Sequence, residues 1–417
     1  MNKTLKVTLF GLLSLILGAF AGAAVWLVLR IMSVGIDLVW HYIPEITGMQ
    51  DNVIYNLCVC LAGGLLIGLW QRKYGILPDD MEQVMGRIKS EGGYPYNKLH
   101  IIAVAALLPL IFGGALGSEA GLSGLIAGLC CFVGDRLKEK GDEAAALAET
   151  GIAATLGVIF NAPLFGIIGN LEPDNKKEKY RTKLASKRSR IFLYIMGVAG
   201  GMLAMKGLGS LFGAGGGIPR FDADYSYGIQ QWKWFVLLLA AGVVFGFFYL
   251  TINKITGVIG TKLRKYRVTS CMLAGLLVAS VGFFLPLTMF SGEHEMGDMI
   301  VHWRDYSLSL LILTAVGKLF LVNVCINFGW RGGSIFPIIF SGLLVGYSVA
   351  MITGMDGSFA VAVSIAALYA YIMRKPVTVA AVLLLCFPVT YVPPILVSAF
   401  IASKIPVPST LMPEHEE

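Results

Sequence analysis

The chain has 417 residues, of which 56% are hydrophobic and 14% charged, and it carries a net charge of +7. A soluble domain devotes about a quarter of its residues to charge. Composition therefore excludes an ordinary soluble globular protein and defines a polytopic membrane protein.

Apolar segments fall near residues 5–33, 53–70, 101–116, 121–135, 145–171, 190–212, 232–258, 270–290, 308–328, 335–353, 357–373 and 377–402. Several are shorter or longer than the roughly 20 residues of a simple span. Many are interrupted by Gly or Pro, which predicts tilted and broken helices rather than a regular bundle. The first segment runs on to Val39 without a cleavage site, so it reads as a membrane helix and not a signal peptide. Basic residues crowd three connections: Arg72 and Lys73 followed by Arg87 and Lys89, Lys176 to Arg190, and Lys262 to Arg267. The positive-inside rule makes these cytoplasmic and accounts for the charge without nucleic-acid binding. The cysteines sit mostly inside apolar runs and read as core residues. The histidines are scattered, so neither a metal nor a cofactor is expected.

Glu119 stands alone between two apolar segments, in the run Gly117-Ser118-Glu119-Ala120-Gly121. A carboxylate at membrane depth costs a few kcal/mol or more to bury, and such residues mark ion or proton pathways. The flanking glycines let backbone approach a small ligand, and the following helix aims its amides and positive dipole end at the turn. The plainer alternative is a glutamate capping its own helix. Lys318 interrupts a second apolar run and either adds positive potential to a pathway or snorkels to an interface. Ser291-Gly292-Glu293-His294-Glu295 has no metal-ligand spacing and reads as a solvated loop.

The chain also repeats itself. Gly18 and Gly22 recur as Gly242 and Gly246. The run Ser123-Gly124 to Gly128 recurs as Ser341-Gly342 to Gly346, and Ala153-Ala154 followed by Pro163 recurs as Ala366-Ala367 followed by Pro376. Matches in chain order predict two transmembrane repeats, 1–185 and 186–417. Transporters built this way bind substrate near the midplane where the halves meet. The repeat pairs the Glu119 turn with Gly332-Gly333-Ser334-Ile335-Phe336-Pro337, again just ahead of an apolar helix. Two helix N-termini aimed at one point would hold a small anion by partial charges alone, loosely enough for release. The alternative is that both glycine pairs serve only close helix packing.

These residues resemble the CLC family of chloride channels and chloride/proton antiporters. Phe160-Asn161-Ala162-Pro163-Leu164-Phe165-Gly166 looks like the family's FNAPL(A)G segment, Gly117 to Gly121 its GREGP or GKEGP motif, and Gly332 to Pro337 its GGxFxP motif. Tyr74-Gly75-Ile76-Leu77-Pro78 stands where the family has GSGIP and matches poorly. The resemblance implies an all-α inverted repeat, a homodimer with one anion pathway per subunit in the cell membrane, and no CBS domains. Glu119 would gate the pathway and carry protons. Gly117, Ser118, Ala120, Gly121, Gly333, Ser334, Ile335 and Phe336 would line the anion site, together with Tyr74, Gly75 and Ile76. The family's pore serine falls on Gly75, with Tyr74 and Ser334 as replacement hydroxyls. Its pore tyrosine falls near Val407. Its inner proton-transfer glutamate falls on Pro173, between Glu172 and Asp174.

Chloride transport, as channel or antiporter, is the expected function. Fluoride or another anion is the alternative within the family. A cation-coupled solute transporter or an intramembrane enzyme are the alternatives outside it, and an enzyme would need a partner for Glu119 that the sequence does not offer.

Overall fold

The computed structural model describes residues 3–50, 52–80, 83–84, 86–87, 94–136, 150, 154, 187–213, 221, 227–384 and 386–411. Among these the chain is helical throughout, and its only β-bridge joins Gly117 to Gly333. Among the described residues six helical stretches are long and apolar enough to cross a membrane: Phe10–Thr47, Val53–Tyr74, Ile191–Phe212, Ile229–Phe284, Leu308–Asn327 and Ile335–Thr353. The chain is thus a multi-pass membrane protein.

We number the helices α1 (Lys3–Asp37), α2 (Val53–Tyr74), α3 (Leu99–Ile111), α4 (Glu119–Arg136), α5 (Lys187–Phe212), α6 (Phe235–Leu263), α7 (Arg267–Phe284), α8 (Glu293–His302), α9 (Leu308–Asn327), α10 (Ile335–Thr353), α11 (Gly357–Met373), α12 (Pro376–Leu383) and α13 (Val392–Lys404). Their starts follow local chemistry. Asn52, Ser307 and Asp356 cap α2, α9 and α11 by accepting the amides of Ile54, Leu310 and Phe359. Prolines set several breaks. The apolar stretch expected over 270–290 ends its α-helix at Phe284, where Pro286 opens a 3-10 turn, and the stretch expected over 377–402 divides around Pro388.

The core is the pair α10–α11, buried along nearly its whole length and packed by α6, α9 and α13. Gly346 lies against Val361 so closely that an added Cβ would stand 2.5 Å from its Cα. Membrane helices gain their association from such close packing, because lipid is as apolar as leucine. The repeated glycines do the same work twice: Gly18 and Gly22 of α1 face Gly197 and Gly201 of α5, while Gly242 and Gly246 of α6 face α11. α2 packs on α7, tying the two parts of the chain together.

Two expectations are corrected. Lys318 does not snorkel: it is 0% exposed, and its Nζ donates to the carbonyls of Leu287, Met289 and Phe290 at 3.1, 2.7 and 2.9 Å. Residues 291–295 are not a solvated loop. Gly292, at φ +85°, turns the chain into α8, and Glu293 is only 7% exposed. The reason is tertiary: Gly292 packs against Phe340 of α10, and Trp40, just past the end of α1, stands edge-on to Phe290 at 5.3 Å. The FNAPL(A)G-like segment, Glu172 and Asp174, and the basic run from Lys176 to Lys183 lie outside the described residues.

Candidate functional site

The two glycine-rich turns meet. Gly117 N–H donates to the Gly333 carbonyl and Gly333 N–H to the Gly117 carbonyl, both at 2.8 Å. This reciprocal pair brings the start of α4 against the start of α10. Trp330, fully buried, holds the second turn from below, its Nε1 bonded to the Cys271 carbonyl of α7 at 2.8 Å.

A helix start leaves its first amides without partners. At α10 the N-cap residue, Ser334, supplies no side-chain cap. Glu119 supplies it from the other turn: its Oε1 accepts the Ile335 N–H at 2.8 Å. The Phe336 amide and the amide of Glu119 itself also bond the carboxyl. Glu119 is 1% exposed, and its Oε2 has no partner among the described residues. A carboxylate therefore sits where the α10 amides and dipole would hold a free anion. The glycines make the room. A Cβ on Gly333 or Gly117 would fall 1.9 Å from the Glu119 carboxyl group.

Of the residues expected at the site, Gly117, Ser118, Glu119, Gly333, Ser334, Ile335 and Phe336 come together. Ser118 is buried, and its hydroxyl has no partner among the described residues. Ala120 and Gly121 face into packing: the Ala120 carbonyl accepts the Ser123 hydroxyl at 2.8 Å, and Gly121 abuts Ala106 of α3. Ser334 shares a hydrogen bond with Tyr249 of α6, a buried residue that sequence reasoning missed among the apolar residues around it. Tyr74 packs at a tilt against Trp70, ring centroids 4.7 Å apart, and Gly75, at φ +91°, ends α2. Ile76 lines an inner cavity instead.

Two cavities approach this centre. The outer one, about 790 Å³, runs from Asp37, His41 and Glu45 past Glu293 and Glu295 to Ser118. The inner one, about 280 Å³, is lined by Arg264, Arg267 and Arg331 with Gln71, Ile76 and Asn327. Gln71 bonds the Gly329 carbonyl just ahead of the second turn, and Arg267 bonds the Gln71 carbonyl at 3.1 Å. The basic end matches the side that the positive-inside rule makes cytoplasmic. No group of three or more His, Cys, Asp or Glu residues among the described ones is arranged to hold a metal.

Two helix starts thus meet within a multi-pass helical protein, one of them capped by a buried glutamate reaching from the other. Residues 63–406 match the voltage gated chloride channel family, and the chain belongs to it. It is 27% identical over 300 residues to the H(+)/Cl(-) exchange transporter ClcA of Vibrio vulnificus, a match that takes in 65% of this chain and 60% of that one. The chain thus spans less than two thirds of that relative's length. Its fold is that of a slow cyanobacterial Cl-/H+ antiporter, with a TM-score of 0.79 at 16% identity over 97% of this chain and 94% of the other. A CLC-type fluoride/proton antiporter superposes with a TM-score of 0.74 at 18% identity over 97% of both chains.

Proposed function

We propose that this protein moves small anions, chloride foremost, across the cell membrane, with Glu119 as gate and proton carrier. The observation that carries the reading is the Glu119 carboxylate bonded to the Ile335 amide at 2.8 Å. Ionised, the carboxylate occupies the seat and closes the path. Protonated, it loses its charge-assisted hold on the amides and leaves, and an anion takes the same donors. Partial charges from helix ends bind the anion without trapping it, as a buried Arg or Lys would. The chemistry is transport, and no covalent bond is made or broken.

The wider arrangement follows the same reading. Residues 1–185 and 186–417 form two repeats that each contribute one turn, α3–α4 in the first and α9–α10 in the second. The functional unit is a homodimer in the lipid bilayer with one pathway per subunit, and Glu172 or Asp174 serves the inner proton path. The ClcA relative and the cyanobacterial neighbour, both chloride/proton exchangers by name, support chloride with proton exchange. The fluoride/proton antiporter neighbour supports a second reading, in which fluoride is the anion.

The test uses purified protein in liposomes, with chloride efflux and external pH followed together. Chloride efflux that drives protons uphill is the expected result, with proton movement lost in Glu119→Gln and chloride flux no longer pH-dependent. Chloride efflux without proton movement makes the protein a channel. Fluoride efflux alone transfers the reading to fluoride, and no flux of either anion overturns it.

A further inference from the structure

We propose that Glu293 is the outer proton relay of this protein, taking protons from the outer cavity and delivering them to the Glu119 carboxyl. The inference rests on the gating role given to Glu119 above and names the group that loads it.

The relay is built from two observations. Glu293 starts α8, is 7% exposed and lines the outer cavity, and its carboxyl accepts no hydrogen bond from the described residues. At the inner end of the same cavity, Ser118 is 5% exposed with a hydroxyl unpartnered among the described residues, one residue before Glu119, whose Oε2 is likewise buried and unpartnered. A cavity of about 790 Å³ lined by carboxyl and hydroxyl groups is polar and roomy enough for a chain of waters. Helix α8 is not one of the membrane-length helices. Burial, with the Glu119 and Glu295 charges beside it, raises the Glu293 carboxyl to about 8. A carboxyl in that range both accepts and releases protons near neutral pH.

The other ionisable groups around it are few. Asp37, His41 and Glu45 at the end of α1 and its extension face the cavity mouth, and His294 and Glu295 follow on α8 itself. Lys318 of α9 stands behind the 287–290 turn with its charge held by carbonyls. The helix packed on α8, α10, carries no ionisable side chain except Tyr347. Glu293 is therefore the most buried carboxyl lining the outer cavity, and the one on which the Glu119 charge acts. In the step itself, a proton from external water first neutralises the Glu293 carboxylate. It then passes through cavity water to the Glu119 carboxylate, leaving Glu293 ionised and Glu119 neutral.

Glu293→Gln and Glu293→Asp, in liposomes, test this by anion efflux and proton movement over a range of external pH. In Glu293→Gln the proton-dependent part of the flux is expected to fall by about a hundredfold, the low end of what a positioned proton-transfer group contributes. Glu293→Asp is expected to restore most of it. A purely structural role would scale flux by one factor at every pH, so a Glu293→Gln profile parallel to the wild type overturns the relay. If the wild-type protein moves no anion at all, the reading of Glu119 has failed and takes the relay with it. If the wild type conducts with a pH profile that Glu293→Gln leaves unchanged, the relay alone has failed.

Discussion

A single side chain explains why two glycines are required at the centre. Glu119 reaches across from the first turn to cap a helix that begins 216 positions later, and it fits because Gly117 and Gly333 have no Cβ. Gly333→Ala would put a methyl group 1.9 Å from the Glu119 carboxyl carbon. The backbone there is locked by the reciprocal bonds to Gly117, so the carboxylate is the part that yields. We expect Gly333→Ala to displace Glu119 from its seat and to resemble Glu119→Gln in liposomes, with anion flux persisting at alkaline pH and proton movement reduced. A Gly333→Ala protein with the wild-type pH profile would mean that the carboxylate has another resting place.

The elements around the site show where sequence reasoning stopped. Both glycine turns and the lone Glu119 were legible, because an isolated carboxylate in an apolar context and a repeated glycine pattern are local signals. Glu293 was not, since Ser291 to Glu295 is a polar run, and Gly292 and Glu293 are buried only because this turn packs against Phe340 of α10, far away in sequence. Tyr249 was hidden among apolar neighbours. Lys318 is a further case. Its ammonium closes the turn that carries Phe290, a residue held at φ +54°, which side chains with a Cβ rarely adopt. Lys318→Met would take the Lys318 donor from the buried carbonyl of Met289 and the part-buried carbonyls of Leu287 and Phe290. We expect it to cost about 3 kcal/mol or more, seen as a lower thermal midpoint of the detergent-solubilised protein. Lys318→Arg should not restore it, because the wider guanidinium does not fit a pocket closed by the Phe340 ring, now 5.1 Å from Nζ. An unchanged midpoint in Lys318→Met would show that water or neighbouring groups satisfy the turn.

Across the whole molecule the charges are divided between the two ends of the path. Carboxylates line the outer cavity and arginines line the inner one. Neither end places a full positive charge on the seat itself, which keeps binding weak at the centre while raising the local anion concentration at the inner mouth. This division makes a prediction about ionic strength. Arg264 lines the inner cavity at the exposed turn between α6 and α7. Its field acts through water and is screened over about 10 Å at 0.1 M salt and about 3 Å at 1 M. Arg264→Gln should therefore lower anion flux from the inner face by about two- to fivefold at low ionic strength, and Arg264→Glu should lower it further. Both should converge on the wild type in about 1 M salt, with proton dependence unchanged because Glu119 and Glu293 are untouched. A loss that persists at high salt would show that Arg264 supports the structure of the inner mouth and does not act through its field.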